Sequence, residues 1–528
     1  MDYTLSYSQA SSHYIDIKVE AKTDGKEKLQ FQLPAWRPGR YELGNFAKNI
    51  QRWKAFNQDG ILLPFKKLTK DLWEVECQGA DQVIVEYNYF AHELNAGSTY
   101  LDEEQLYVNP VNCLVYQPER AGEECLVNLN LPEDYNIAIA LEEVDDRVFK
   151  TKNFDELADS PFIASANLQH HEFNEKGTTF HLWFQGLFKA NWEKIEKDFR
   201  AFAAEQIKFF GDFPTKNYHF LFQILPTSFY HGVEHSASTV IVLGPSYAVL
   251  DEKGRYEDLL GVSSHELFHT WNVKRIRPIE MWPYDFSKEN YSRLGYLSEG
   301  ATTWYGDLML YRSKVFTDAA FFRTFNQLLD RHFNNPGVEN LSVADSSFDT
   351  WLDGYNIGVP NRKASIYTEG ALITFMLDVE IRKATNNEKS FDDVMRSFYN
   401  NYYKQGKGIS EADYQNEVEK LVEKSMSEFF ENYINGTDDI SESLAEAMDY
   451  FGLEYKKLAS DEYFEAYLGI KVLDGKVYSV YPNSIADRAG MLRNNLISML
   501  VRWITRSGHQ QEARKVRIIT RLRSRKCK

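Results

Sequence analysis

The chain has 528 residues, 43% hydrophobic and 15% aromatic, enough for about three separately packed domains and too many for a lone small binding module. Its apolar runs all fall short of the ~20 residues that cross a bilayer, which excludes a helical membrane protein. A net charge of −17 leaves too little cationic surface to hold a phosphate backbone, which excludes a generic nucleic-acid binder. The N-terminus has neither a basic start nor a continuous apolar segment of the secretory kind. Four cysteines (Cys77, Cys113, Cys125, Cys527) form no disulfide framework or CxxC pair, so a reducing, cytoplasmic location is expected, although Cys113 and Cys125 could still pair.

Alternation at Ile15, Ile17, Val19 and Ala21, and again at Val83, Val85, Tyr87 and Tyr89, predicts strands. Breaks such as Arg37-Pro38-Gly39 and Gln78-Gly79 separate them, and a β-sandwich-like domain is expected over residues 1–165. Near residue 190 the period changes: Ile195, Phe199, Phe202, Gln206 and Phe210 share one helical face. Strand-like stretches follow at 218–225 and 239–243, and helical patterns then dominate to about residue 450. We assign 166–456 to this mainly helical second domain and 457–528 to a small third one, so the chain reads as multidomain α+β. From Met491 onward, eleven Lys or Arg stand against one acid, a net of +10 that leaves −27 for the rest. Such a basic tail is expected to stay solvated or to lie on the acidic body.

The chemistry concentrates at His265-Glu266-Leu267-Phe268-His269, in a helical pattern that starts near Leu259. Imidazoles at i and i+4 project from one helix face, so both can reach one tetrahedral Zn²⁺ at ~2.1 Å. Glu266, beside the first ligand, is placed to take a proton from a water polarised by that ion. A catalytic zinc needs a third protein ligand, and no histidine recurs between His269 and His332. A carboxylate must supply it. Glu299, in Leu297-Ser298-Glu299-Gly300-Ala301, opens a second helical stretch with Ser298 as a candidate N-cap, whereas Glu280 and Glu289 sit in a proline-containing loop. No second cluster of ligand types stands out along the chain, so one Zn²⁺ per chain is expected.

The stretches HELFHTWNVKRIRP and LSEGATTWY resemble the glycyl aminopeptidases, gluzincin zinc metallopeptidases with a β-rich N-terminal domain, a thermolysin-like catalytic domain and a C-terminal PDZ domain. Leu33-Pro34-Ala35-Trp36-Arg37-Pro38-Gly39-Arg40-Tyr41 is similar to that family's LPxWxPGxY segment. Gly232-Val233-Glu234-His235, between two strand-like stretches, is similar to its GGxEH, with His231 in place of the first glycine. The resemblance implies that the Gly232 edge aligns the substrate backbone and that Glu234 binds its free α-amine. Tyr367-Thr368-Glu369-Gly370 is similar to the superfamily's YxKG, with Glu369 where lysine is usual, and implies an oxyanion-binding role for Tyr367. Asn272, Lys274 and Arg275 are family-like in supporting positions. Tyr467-Leu468-Gly469-Ile470 and 482–490 resemble a PDZ carboxylate loop and first helix, which implies capture of a C-terminal peptide.

The expected function is therefore a zinc-dependent aminopeptidase acting on peptides with a free N-terminus, with Gly or Ala preferred by resemblance alone. The alternatives are a zinc endopeptidase and a non-catalytic peptide-binding scaffold.

Overall fold

The computed structural model describes residues 1–251, 255–355, 358–359, 361–473 and 475–493, with the backbone of 514–519. In the N-terminal half the strand alternation becomes cross-strand pairing. Tyr14–Lys22 runs antiparallel to Gln82–Phe90 with Ile15 opposite Tyr89, Ile17 opposite Tyr87, Val19 opposite Val85 and Ala21 opposite Val83. Every one of these side chains is buried, so a single-residue slip would turn the whole apolar row toward water. These two strands belong to a seven-stranded sheet, and three- and four-stranded sheets pack around the same core. The region is β-rich. Cys77, Cys113 and Cys125 are buried and unpaired, so the Cys113–Cys125 pairing is corrected: both thiols act as small core side chains.

The second region is built on a five-stranded sheet ordered Gln169–Glu175, Thr178–Gln185, Asn217–Ile224, Ser238–Gly244, Phe229–Glu234. The last of these is an edge strand, antiparallel to its single neighbour. Helix Trp192–Phe210 buries Ile195, Phe199, Phe202, Gln206 and Phe210, the face its spacing predicts. Gln206 Nε2 donates to the Ser264 carbonyl at 2.9 Å, which ties this helix to helix Tyr256–His269. That second helix begins three residues before the expected start near Leu259.

Ser298 is not an N-cap. A π-helical segment, Tyr296–Ala301, runs without a break into helix Thr302–Arg312, and Ser298 lies buried inside it. Its carbonyl accepts from Thr302 Oγ1 at 2.7 Å. Wide turns of this kind recur where a helix must aim one side chain into a site, and here that side chain is Glu299.

Beyond Leu453 the described residues form a hairpin, Ile470–Leu473 with Lys476–Val480, and a short helix, Ile485–Arg488, around Leu468, Ile470, Val477 and Ala486. Ser484 caps the helix by accepting from the Asp487 amide at 3.1 Å. Of the two expectations for the basic tail, the solvated one is corrected at Arg514–Ile519, whose backbone pairs antiparallel with Glu454–Ala459; 494–513 and 520–528 lie outside the described residues. No helix among the described residues is long and apolar enough to cross a membrane.

Candidate active site

His265 and His269 project from one face of helix Tyr256–His269, with their rings at 84° and their Nε2 atoms 3.0 Å apart. Glu299 Oε2 lies 3.4 Å from His269 Nε2 and 3.9 Å from His265 Nε2. A tetrahedral ion with bonds of ~2.0–2.1 Å requires ligand atoms about 3.3 Å apart. The three donors therefore stand within a few tenths of an ångström of a metal-binding triangle. His265 is 20% exposed, whereas His269 and Glu299 are almost fully buried. Among the described residues Glu280 and Glu289 join no such grouping.

The supports of this triangle are specific. His269 Nδ1 lies 2.6 Å from the Asn272 carbonyl, which makes Nδ1 the donor and leaves Nε2 free to ligate. Asn272 Nδ2 donates to the Leu297 and Ser298 carbonyls and to Thr302 Oγ1 at 3.0–3.1 Å, binding the end of the first helix to the Glu299 segment. Ser264 Oγ donates to the Gly306 carbonyl at 2.7 Å. A methyl on Gly306 would come within 3.1 Å of the His265 backbone, so glycine there permits the close helix crossing. Lys274 pairs with Asp159 at 2.8 Å, and Arg275 donates to the Ser236 and Thr270 carbonyls. Burial alone would raise the Asp159 carboxyl, but the Lys274 ammonium and His235 outweigh it and hold it below the usual range. Asn272, Lys274 and Arg275 brace the site through these contacts.

Gly232 and Glu234 do not lie in a loop between strands, as the sequence suggests; both belong to edge strand Phe229–Glu234. Strand alternation puts them on one side and His231 and Val233 on the other. The His231 ring accepts from the Ala96 amide at 3.3 Å, and Val233 joins a cluster with Ala96 and Tyr107. The histidine that replaces a glycine therefore turns toward the N-terminal half. A Cβ on Gly232 would fall 2.1 Å from Glu266 Oε1, so the Glu266 carboxylate rests directly against the strand.

Glu234, Glu266 and His269 also bring ligand-type atoms within 4.8 Å of one another. Glu234 Oε1 and Glu266 Oε2 are buried without a hydrogen-bond partner among the described residues. Burial pushes the Glu266 carboxyl well above its ordinary value; His269 pulls against that shift, while Glu234 and Glu299 add to it. Burial alone would lower His269, yet Glu299 and Glu234 prevail and push it up to about 10. Three buried carboxyl groups around two imidazoles form a pocket short of positive charge. A bound dication meets that deficit, and the two-nitrogen, one-oxygen donor set suits zinc.

Two contributors from the N-terminal half are invisible along the chain. Tyr41 Oη donates to Glu299 Oε1 at 3.3 Å across 258 residues of sequence, and Gly39, at φ +83°, would place a Cβ 2.6 Å from Glu234 Oε2. Left-handed backbone and close approach together require glycine there. The segment that carries both is anchored by buried Trp36, whose Nε1 donates to the Asp285 carbonyl at 2.7 Å and whose ring meets Trp351 edge-on.

Tyr367 lies in the first turn of helix Ile366–Ala384, which Ser365 caps. Its hydroxyl is 3.4 Å from that of Tyr355, and burial, with nearby Glu299, keeps it protonated well above the usual tyrosine range. This helix crosses the Glu299 segment at two glycines. A Cβ on Gly300 would lie 2.3 Å from Gly370 Cα, and one on Gly370 would lie 2.1 Å from the Tyr296 carbonyl. Backbone contact at this crossing fixes Tyr367 relative to Glu299. Glu369 points elsewhere: its Oε2 meets His332 Nδ1 at 2.8 Å in a buried pair.

With this geometry in hand, comparison with known families finds two matches. Residues 2–166 match the Peptidase M61 N-terminal domain and residues 258–373 match the M61 glycyl aminopeptidase family, together just over half of the chain. No curated protein matches the sequence. Among solved structures, an aminopeptidase N family protein from Idiomarina loihiensis is similar with a TM-score of 0.87 at 23% identity, over 96% of this chain and 92% of that one. A variant of an M1 zinc metallopeptidase from Deinococcus radiodurans, bound to a Tyr-Ser-Ala substrate, is similar with a TM-score of 0.52 at 13% identity, over 83% and 94%. Both likenesses concern the fold.

Proposed function

Because the chain belongs to the M61 peptidase family and is a zinc metallopeptidase, we propose that it removes small N-terminal residues, Gly or Ala, from peptides with a free amino end. The observation that carries this reading is Glu234: a buried carboxylate with an oxygen unpartnered among the described residues, on an edge strand beside the zinc-binding triangle. The preference for a small residue rests on the family's glycyl description.

His265, His269 and Glu299 would hold the zinc, one per chain, which when bound would supply Lewis-acid polarisation of a water and of the scissile carbonyl. An extended substrate adds to the free edge of Phe229–Glu234 by main-chain hydrogen bonds. Glu234 then receives the α-ammonium in a charge-assisted contact at a fixed distance from the zinc. Glu266, held against Gly232, takes the proton of the attacking water and returns it to the leaving amine. Tyr367 donates to the oxygen on which negative charge develops. Tyr41 positions Glu299. A scaffold with structural zinc would need no base, and Glu266 is intact.

Gly- and Ala-arylamides should be hydrolysed, with activity lost on chelation and restored by Zn²⁺. Cleavage of N-acetylated peptides at an equal rate would replace this reading with the endopeptidase. Tyr367→Phe should lower kcat by about 10²–10³-fold at nearly constant KM, since its contact strengthens in the transition state; an effect on KM alone would make Tyr367 a binding residue. Gly232→Ala should cost about 10²-fold in kcat, because the methyl must displace the Glu266 carboxylate and crowd Val262. Unaltered kcat would show that Glu266 works from another position.

A further inference from the structure

At the far edge of the five-stranded sheet from Glu234, a hairpin carries three ligand-type side chains on one face. His170 and Glu172 lie two residues apart on Gln169–Glu175, and His181, on Thr178–Gln185, stands directly opposite Glu172. The other face of the hairpin carries Phe173, Phe180 and Leu182 into the core. His170 Nε2 is 3.1 Å from His181 Nδ1, Glu172 Oε2 is 3.2 Å from His181 Nδ1, and His170 Nε2 is 4.0 Å from Glu172 Oε2. We propose that these residues form a second, solvent-open site for a divalent transition-metal ion such as Zn²⁺, separate from the catalytic centre.

The separations bracket the ~3.3 Å expected between ligands of a tetrahedral ion, much as at the catalytic triangle. Both rings are held in place before any ion arrives. His170 stacks on Trp183 with centroids 3.7 Å apart, and His181 stacks on His219 at 4.4 Å. His219 is itself fixed, because Trp183 Nε1 donates to its Nδ1 at 3.2 Å. Two imidazoles and a carboxylate suit zinc or copper better than calcium or magnesium. Glu172 is 58% exposed, so water completes the coordination and the ion binds more weakly than at the buried site. Four strand spacings of ~4.8 Å put this cluster roughly 19 Å across the sheet from Glu234, too far for the two sites to share an ion.

The test counts Zn²⁺ bound by the full-length chain in equilibrium dialysis over a range of free zinc. Two equivalents are expected, the second filling at higher zinc. Glu172→Gln and His170→Ala should each lose the second equivalent while hydrolysis of Gly-arylamides stays at the wild-type rate. Glu172→Gln changes an exposed side chain, so it keeps the test valid if His170→Ala fails to fold. A single equivalent in the wild type would overturn the proposal, as would a second equivalent that survives in both variants.

Discussion

Replacing Glu266 with Gln should leave zinc bound and lower kcat by about 10²–10⁴-fold, the range for losing a general base. The amide keeps the length and planarity of the carboxylate and can still rest against Gly232, so the site should hold its shape. It cannot accept a proton at neutral pH. Burial among Glu234, Glu299 and His269 means that the native carboxylate owes its ionised form to nearby positive charge, and a bound dication supplies that charge. The variant therefore separates proton transfer from metal binding: zinc content by elemental analysis stays at the wild-type level while turnover collapses. Turnover within a few-fold of wild type would remove Glu266 from the base role.

Glu299→Ala should abolish both tight zinc binding and activity. The substitution removes one of three ligands and leaves the Tyr41 hydroxyl, which donates to Glu299 at 3.3 Å, without its acceptor in a buried setting. Two imidazoles on one helix remain, and they bind far more weakly than a closed three-ligand set. Zinc is best measured after dialysis into metal-free buffer, where the solvent-open hairpin site is empty. Unchanged zinc in this variant would shift the third ligand to Glu234, which with Glu266 and His269 forms the neighbouring group of ligand-type atoms.

How much of this was legible in the sequence depends on the distance over which each feature is encoded. His265, Glu266 and His269 are set by helix geometry over five residues; the structure brings His265 and His269 together with Glu299, and Glu266 together with Glu234 and His269. The apolar face of Trp192–Phe210 was equally local. The Ser298 cap misread a segment whose π-helical turns begin at Tyr296, because Ser-Glu before an apolar run carries a capping signal whether or not the chain is already helical. The strand Phe229–Glu234 was hidden by its mixed composition, since an edge strand with an open side need not alternate cleanly.

Tyr41 and Gly39 could be quoted as part of a family-like segment, yet their contacts with Glu299 and Glu234 depend on docking between two halves of the chain. No local period reports that. The glycines at 300 and 370 are likewise explained only by the helix crossing they permit. His170, Glu172 and His181 come together through hairpin register, which places Glu172 opposite His181 nine residues on; linear spacing suggested only one ion. Glu369, for which the sequence offered no consequence, has its explanation in His332, 37 residues away.

Selection of a free amino end by Glu234 is measured by kcat/KM of wild type and Glu234→Ala on Gly-peptides with free and N-acetylated termini. Zinc content is checked in both proteins. The wild type should strongly prefer the free amine, and the variant should lose about 10–100-fold on that substrate, as expected for a charge-assisted contact worth ~1.5–3 kcal/mol. Its rate on the acetylated peptide should barely change. Equal losses on both substrates, or a wild type indifferent to acetylation, would contradict the claim.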